Sequence, residues 1–302
     1  MSVAHSIVLT DVRDSTADRV TRGIAVAFAV YFTAIIWPIW LDARARGSMI
    51  GLATHLAMLA YVLLLLTARG AAWRPALDWL VLTIGPLMYI ELRWIIAGTG
   101  MPHHDALIVG WEQALFPSNP SATLAPHWHV PALSEFLHFA YASYYLLVYL
   151  PPIALYVTGK RDAFVKTVLA LTIVYGACFI IYALFPVDGP RYLVGPAAAP
   201  DGPVRRFVLA LLERGSSRGT AFPSSHVAAS VVAALCALRY QRRVGLIVAP
   251  IAAALVLATV YGGFHYAVDA VAGLILGIIA WLASVTLWSG AESRGAHTAT
   301  AA

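Results

Sequence analysis

Residues 220–269 read TAFPSSHVAASVVAALCALRYQRRVGLIVAPIAAALVLATVYGGFHYAVD, and this stretch decides the fold of the chain. Two apolar runs, 227–238 and 244–260, are separated by the basic break RYQRR at 239–243. This pattern predicts a helical hairpin that crosses a membrane twice. Because two crossings return the chain to its starting side, we expect His226 and His265 on one membrane face, each at the N-terminal end of a helix. Helix N-termini favour anions, so the stretch predicts a phosphate site.

The composition of the whole chain agrees with a membrane protein. Of its 302 residues, 60% are hydrophobic and 12% are charged, and the mean hydropathy is +0.76. Soluble domains average about 25% charged residues. The net charge of +5 comes largely from arginines in loops beside apolar runs, which membrane topology requires, so it does not indicate a nucleic-acid partner. Cys178 and Cys236 lie inside apolar runs and have no His or Cys at ligand spacing. We therefore expect both to be core residues that form neither a metal site nor a disulfide.

Eight apolar segments predict an all-α polytopic membrane bundle of about eight transmembrane helices with a six-helix catalytic core. The segments are 23–41, 49–68, 76–98, 136–158, 163–185, 224–239, 244–261 and 266–288. We divide the chain into a cytoplasmic N-terminal tail (1–22), two additional transmembrane helices (23–75), the core (76–288) and a disordered C-terminal tail (289–302). Lys and Arg counts favour a cytoplasmic N-terminus, although two outer loops also carry arginines. We therefore expect a protein of a bacterial inner or plasma membrane with its active site on the extracytoplasmic face.

Several polar side chains stand within or beside these segments. Glu91 and Arg93 lie about two turns from the outer end of the third segment, where ionisable groups are costly and tend to be paired or functional. They either pair with a neighbouring helix or contact a headgroup. His138 and Tyr141 share a face of the fourth segment, so they either belong to an aromatic belt or line a headgroup pocket. We take Arg93, His138, Tyr141 and Tyr261 as the candidate headgroup pocket.

The connection from Met101 to Glu135 separates the third and fourth segments. Its residues 107–116 predict a short amphipathic helix at the membrane interface that shapes a lipid entrance. The connection also contains His103, His104, His127 and His129. They lack a fixed ligand spacing, which favours solvated loop histidines over a metal site.

His265 and Asp269 are four residues apart, so on a helix they share a face and the carboxylate can hold the imidazole in one tautomer. Such a pair could equally be a structural hydrogen bond or half of a proton relay. The hairpin brings His226 to the same face. Arg191, in DGPRY at 188–192, lies just beyond the fifth segment and on that face too.

These residues resemble the type 2 phosphatidic acid phosphatase superfamily of membrane lipid phosphatases and phosphotransferases. Pro223, Ser224 and His226 match its second motif and His265 and Asp269 its third, while Arg191 stands for the Arg of the first. The chain departs from the motifs at three places. These are Ser225 in place of a glycine, Leu184 in place of a lysine, and Ala258 and Thr259 in place of a Ser-Arg pair. The patterns around His226 and His265, with Thr259 and Tyr261, are most similar to the inositol phosphorylceramide synthase-like branch.

The resemblance implies a mechanism. His265 attacks the lipid phosphorus, Asp269 stabilises the resulting imidazolium, and His226 protonates the leaving oxygen and then activates an alcohol or water. Arg191 and Ser224 would bind the phosphate, together with Ser225 through its backbone amide. The backbone amide of His226 would also donate to the phosphate. No cofactor and no metal is expected, and Asp188 alone offers too few oxygen ligands for Mg²⁺.

The function expected is therefore a membrane lipid phosphotransferase or phosphatase that works through a phosphohistidine, with possible transfer of an inositol-phosphate-type headgroup between lipids. Its partners would be a membrane lipid and a lipid or alcohol acceptor, or water, and no nucleic acid; the sequence does not determine an oligomeric state. One alternative is a phosphatase for lipid phosphates or polyprenyl pyrophosphates. A different class is a non-enzymatic membrane transporter, against which stands the absence of an internal repeat.

Overall fold

The computed structural model describes residues 15–47, 49–68 and 70–300, with side chains left out at 71 and 295–300. The described residues form thirteen α-helices, one 3-10 turn and no named strand, so the predicted all-α class is confirmed. The helices are α1 (Thr16–Arg46), α2 (Ile50–Thr67), α3 (Arg74–Thr99), α4 (Asp105–Leu115), α5 (Pro120–His127), α6 (Pro131–Ala142), α7 (Tyr144–Val157), α8 (Arg161–Leu184), α9 (Pro190–Leu193), α10 (Pro203–Gly215), α11 (Ser225–Tyr240), α12 (Arg242–Tyr261) and α13 (Ala267–Thr300).

Each of the eight predicted segments falls on a helix or a helix pair. Among the described residues, α1, α2, α3, α8, α12 and α13 are long and apolar enough to span a membrane. The fourth segment is a broken span, because α6 and α7 meet at Ser143 with a bend of 48°. The sixth segment, α11, is a shorter apolar helix of 16 residues. The chain is thus an integral membrane helical bundle.

Both predicted tails are corrected by the structure. The first helix begins at Thr16, because Ser15 and Asp18 form a capping box and Arg161 binds Asp18 at 2.9 Å. Only residues 1–14 of the predicted N-terminal tail lie outside the described residues. At the other end, α13 continues to Thr300 instead of giving way to disorder at 289. No proline interrupts this stretch, and Trp288 donates its indole N–H to Glu292 across one turn at 2.6 Å.

The hairpin of α11 and α12 lies at the centre of the bundle, and α11 also packs on α13, α8 and α7. Gly273 and Gly277 let α13 approach α11 closely. A Cβ at these positions would lie 2.5 Å from the Ser224 carbonyl oxygen and 2.7 Å from the Ala228 carbonyl oxygen. Small residues four apart are a common device for close helix packing in membranes. The starts of α11 and α13 are thereby held together at one end of the bundle, which we call the site end.

Glu91 is paired with a residue of a neighbouring helix, which was one of the two alternatives predicted for it; the other was contact with a headgroup. Its carboxylate lies 2.7 Å from Nδ1 of His55 on α2, and both side chains are fully buried. The other ring nitrogen of His55 donates to the Phe32 carbonyl oxygen of α1 at 2.8 Å. This pair therefore joins the first three helices. Arg93, by contrast, is exposed on the outside of the bundle, where its Nε donates to the Ile90 carbonyl oxygen.

Candidate active site

Two loops at the site end are joined by backbone hydrogen bonds. Val187 and Thr220 form an isolated parallel bridge, in which the Ala221 N–H donates to the Val187 carbonyl oxygen at 2.8 Å. The first loop leads into α9, which carries Arg191, and the second leads into α11, which carries His226. This bridge brings the predicted phosphate-binding arginine beside the predicted histidines, as the sequence analysis expected.

His265 lies in the short loop between α12 and α13, is buried, and is aligned by two neighbours. Its Nδ1–H donates to the Ala221 carbonyl oxygen at 3.0 Å, and an Asp269 carboxylate oxygen lies 3.6 Å from the same nitrogen. Because a carbonyl oxygen only accepts, Nδ1 carries the proton and Nε2 of the neutral ring keeps its lone pair. Burial, together with nearby Arg191, lowers the pKa of His265 to about 4, so the ring is neutral at pH 7.

The loop that precedes His265 requires glycine at position 263. Gly263 has a left-handed φ of 67°, and a Cβ there would lie 2.8 Å from the backbone nitrogen of Ala197. The Ala197 N–H in turn donates to the Gly262 carbonyl oxygen at 3.2 Å. Gly263 thus allows the connection after α9 to pack directly over the histidine loop.

His226 and His265 face each other, as the hairpin prediction required. Their ring centroids are 5.9 Å apart. The His226 ring also stacks on Tyr141, with 5.2 Å between centroids and 23° between planes, and contacts Tyr144 at 4.4 Å. Two aromatic side chains of α6 and α7 therefore fix the imidazole predicted to act as acid and base.

Arg191 is held in place by two neighbours at the wall of the same cavity. Its guanidinium donates to the Ser216 hydroxyl and packs over the Tyr192 ring, with Cζ 4.3 Å from the ring centroid. The Tyr192 hydroxyl also contacts the Ser216 hydroxyl at 2.5 Å. Ser216 directly follows the last residue of α10, so the end of this helix positions the arginine.

The predicted phosphate cradle is only partly present. Ser224 is fully buried and its hydroxyl caps α11 by accepting from the Val227 N–H, while the Ser225 N–H donates to the Tyr182 hydroxyl at 3.1 Å. Neither serine lines the cavity that contains Arg191 and His265. The α13 N-terminus is also unavailable to a phosphate, because Glu112 accepts from the Ala267 and Val268 N–H groups.

Of the candidate headgroup pocket, only Tyr141 lines this cavity. His138 donates its Nδ1–H to the Ser134 carbonyl oxygen and packs against Tyr261 and Phe264. The Tyr261 hydroxyl donates to the Trp128 carbonyl oxygen at 3.1 Å. The predicted set therefore does not converge on this cavity, because Arg93 is exposed and His138 and Tyr261 pack against each other outside its lining.

Two cavities meet at His226. The first encloses about 100 Å³, and its polar lining includes Arg191, Asp188, Ser216, Ser217, Thr220, Tyr192, His226 and His265. The second encloses about 50 Å³ between α3, α7, α8 and the start of α11 and is mostly apolar. Both are lined by Tyr89, Tyr144, Tyr145 and His226. Tyr145 is 54% exposed, so the wall that the two cavities share reaches the surface of the protein.

A family model described as the PAP2 superfamily matches residues 106–283, which is more than half of the chain. The chain belongs to the PAP2 superfamily. Arg191, His226, His265 and Asp269 all lie inside the matched range, whereas α1, α2 and α3 precede it. Membership supports an enzyme with lipid phosphatase or phosphotransferase activity. Searches of curated proteins and of solved structures gave no match.

Three acidic side chains, two on α4 and one on α6, hold the loops of this PAP2 site. Glu112 caps α13, Asp105 accepts from the Asp188 and Gly189 N–H groups, and Glu135 accepts from the Val204 and Arg205 N–H groups at the start of α10. The sequence analysis missed these roles. The predicted helix at 107–116 is confirmed as α4. The burial of Glu112 on this helix indicates its capping role, but that burial is visible only in the folded structure.

His103, Asp105 and Asp188 form a group whose geometry could hold a metal ion. However, Asp105 already accepts from two backbone N–H groups, and Asp188 accepts from the Gly219 N–H and lies 3.5 Å from the Arg218 guanidinium. These contacts suit a network that fixes the loop better than a cation site, since a guanidinium repels a cation. The other loop histidines lie elsewhere, with His104 stacked on Phe185 and His127 and His129 exposed.

Proposed function

We propose that this PAP2 protein transfers or hydrolyses a lipid-linked phosphate through a phosphohistidine on His265. The observation that carries the proposal is the pairing of His265 with His226, 5.9 Å apart at one cavity with Arg191. Nδ1 of His265 is protonated and hydrogen-bonded, so Nε2 is the nucleophile. Asp269, 3.6 Å from Nδ1, stabilises the positive charge that the ring acquires.

In the first step Nε2 of His265 forms a bond to phosphorus, the ester bond to the lipid alcohol breaks, and His226 gives its proton to the leaving oxygen. In the second step an acceptor alcohol or water gives a proton to His226, its oxygen bonds to phosphorus, and the N–P bond breaks. Arg191 binds the phosphoryl oxygens through both stages. A phosphohistidine needs no redox partner.

The apolar cavity supports a lipid as the donor. It begins at His226, which protonates the leaving oxygen, and it opens toward the lipid-facing surface at Tyr145. A lipid whose phosphate lies beside Arg191 can therefore keep its hydrocarbon chain between α3 and α7. These two helices belong to the third and fourth predicted segments.

Transfer of a headgroup phosphate to a second lipid, as in the inositol phosphorylceramide synthase-like branch, is the finer form of this proposal. Arg191 supplies positive charge that a metal would otherwise provide, so we propose that no divalent ion is required. Asp188 and Asp105, with the contacts described above, hold the loop that carries Arg191.

The experiment is an assay of the purified protein in lipid nanodiscs with a phospholipid labelled at phosphorus, with and without an added lipid alcohol. We expect the label in free headgroup phosphate or in a new lipid, and unchanged turnover in excess EDTA. Which product forms distinguishes hydrolysis from transfer. Loss of turnover in EDTA and its recovery with Mg²⁺ or Zn²⁺ would contradict the metal-independent mechanism and direct attention to His103, Asp105 and Asp188.

A further inference from the structure

The start of α11 is held from two sides by neighbouring helices. On one side, the Ser224 N–H donates to the Asp269 carbonyl oxygen of α13 at 3.0 Å. On the other side, Tyr182 of α8 is fully buried, and its hydroxyl reaches the residues before and after Ser224. His226 is the second residue of α11, so these contacts fix the backbone from which its imidazole extends.

Tyr182 makes both of its contacts with one hydroxyl group. The hydroxyl donates to the Pro223 carbonyl oxygen at 2.7 Å and accepts from the Ser225 N–H at 3.1 Å. The first N–H groups of a helix have no partner within the helix, and at many helix ends they bind an anion. Here the Tyr182 hydroxyl takes the Ser225 N–H. Tyr182 itself lines neither of the two cavities that meet at His226, so an effect on the reaction must pass through another residue.

The His226 ring depends on this support, because its own contacts are with aromatic rings. It stacks on Tyr141 with 5.2 Å between centroids and contacts Tyr144 at 4.4 Å. Offset stacking tolerates the sliding of one ring over another, so it limits the tilt of a ring more than its position. The position of the His226 nitrogens relative to the leaving oxygen is therefore set largely by where α11 begins.

Proton transfer to the leaving oxygen is sensitive to that position. The donor nitrogen must come within about 2.6–3.2 Å of the oxygen that it protonates. A displacement of about 1 Å, even from a change outside the site, can lower a rate on the order of 10²-fold. A contact that fixes the start of α11 thus bears directly on the step that His226 performs.

We infer that Tyr182 positions His226 for the transfer of its proton to the leaving oxygen. Tyr182 is a positioning residue, since it acts through the backbone of residues 223–225. The inference rests on the proposed phosphohistidine function and adds to it a residue of α8, which lies 41 and 43 positions before its two partners in the chain.

The test uses matched donors that differ in their need for a proton. Phosphatidylinositol and phosphatidate are each compared, in nanodiscs, with an analogue that has sulfur in place of the oxygen between glycerol and phosphorus. An alcohol is about as weak an acid as water, with a pKa of about 15.7, so its oxygen leaves poorly without a proton. A thiol has a pKa of about 8.5, so when the N–P bond to His265 forms and the P–S bond breaks, the sulfur leaves as a thiolate.

Tyr182→Phe should lower the single-turnover rate of phosphohistidine formation roughly ten- to hundredfold for the oxygen donors and less than about threefold for the sulfur analogues. His226→Ala should show the same preference to a larger extent. In a His226→Ala background, Tyr182→Phe should have no further donor-dependent effect, because the residue through which it acts is gone.

Tyr261→Phe is the matched control. The Tyr261 hydroxyl is also buried and donates to a backbone carbonyl oxygen, that of Trp128, and Tyr261 lines neither cavity. This control should change the rates for oxygen and sulfur donors by the same factor. The unfolding temperature of each variant is measured alongside. If Tyr182→Phe does not fold, Tyr182→4-aminophenylalanine keeps the donor to Pro223 but accepts only weakly from the Ser225 N–H, and it should show the same donor preference at a smaller size.

The comparison with His226→Ala separates failure of this inference from failure of the proposed function. If Tyr182→Phe slows the oxygen and sulfur donors equally while His226→Ala slows mainly the oxygen donors, the inference is overturned and the proposed mechanism stands. If His226→Ala shows no donor preference, or if none of the donors labels His265 in the unmodified protein, the proposed function fails and the inference fails with it.

Discussion

At the scale of single residues, His265 depends on a backbone carbonyl as much as on its acidic neighbour. The Ala221 carbonyl oxygen fixes the tautomer at 3.0 Å, and the Asp269 carboxylate lies slightly farther from the same nitrogen, at 3.6 Å. One Asp269 oxygen accepts from the Tyr266 N–H at 2.9 Å, and the other is buried without a hydrogen-bond partner among the described residues. Asp269 is therefore suited to stabilise charge that appears during the reaction.

Replacement Asp269→Asn should leave a trace of activity. The Ala221 carbonyl oxygen still holds the imidazole, but the imidazolium of the phosphohistidine loses its counter-charge. We expect kcat to fall by about 10²- to 10⁴-fold, the range typical of acid–base groups. The control is Asp201→Asn, since Asp201 is exposed, forms ion pairs with Arg205 and Arg206, and does not line the cavity. Activity of Asp269→Asn within a few fold of the unmodified protein would mean that this carboxylate has a structural role alone.

The lowered pKa of His265 predicts an unusual acid limit for the first step. With a pKa of about 4, the ring takes up a proton only well below the usual value near 6.5, so the neutral nucleophile persists as the pH falls. The single-turnover rate of phosphohistidine formation should therefore not decrease between pH 7 and pH 5. A rate that halves near pH 6.5 would show that His265 titrates as a solvated histidine.

At the scale of helices, the sequence predicted the helices themselves better than the breaks and contacts between them. The hairpin of α11 and α12 followed from two apolar runs and a basic break, because both features are local. The break at Ser143 did not follow, since the apolar pattern runs through it. The packing of His138 against Tyr261, outside the cavity lining, did not follow either, because the two residues lie on different helices. The sequence predicted that Ser224 and Ser225 bind phosphate. In the folded chain they bind Val227 and Tyr182 instead, and these partners become apparent only in the structure.

The apolar cavity gives a prediction about α3. Gly85 lines this cavity, and a Cβ added there meets nothing within 4 Å, so Gly85→Leu should fill the cavity without disturbing the helix. Each methylene of the donor chain that is displaced costs about 0.8 kcal/mol. We therefore expect kcat/KM for a long-chain donor to fall roughly tenfold or more, and that for a short-chain, water-soluble donor to stay unchanged.

Gly176→Leu on α8 is the matched control for Gly85→Leu. A Cβ at Gly176 also meets nothing within 4 Å, and Gly176 does not line the cavity. This control should preserve activity toward both donors. Equal loss toward long- and short-chain donors in Gly85→Leu would show that the cavity does not hold the hydrocarbon chain.

At the scale of the whole molecule, only the distribution of charged residues in the sequence indicates on which side of the membrane the candidate active site lies. The hairpin places His226 and His265 at one end of the bundle and Arg239, Arg242 and Arg243 at the other. The hydrogen bonds of Glu112 and Asp105 to loops more than 80 residues away could not be predicted, since the local sequence pattern contains no information on partners so distant. The positive-inside rule then favours an extracytoplasmic site.

Single-cysteine labelling tests this sidedness. Cys178 and Cys236 are buried in α8 and α11, so they should not react with an impermeant thiol reagent. Val194 is 78% exposed at the site end, and Arg242 is exposed at the opposite end. In intact cells Val194→Cys should be labelled and Arg242→Cys should not, while both react after lysis. The reverse pattern would place the chemistry in the cytoplasm.

The most direct test of the central claim is to isolate the phosphorylated intermediate. The protein is incubated with a phospholipid labelled at phosphorus, quenched in alkali, in which phosphohistidine is stable, and digested for mass spectrometry. We predict label on the peptide that contains His265 and none in His265→Ala, which should also retain at most a few per cent of turnover on the ~10²- to 10⁴-fold scale of such groups. In His226→Ala the label should appear more slowly, because the leaving oxygen is no longer protonated, and should also be lost more slowly, because water or alcohol is no longer activated. Label on another residue, or substantial turnover in His265→Ala, would contradict the account.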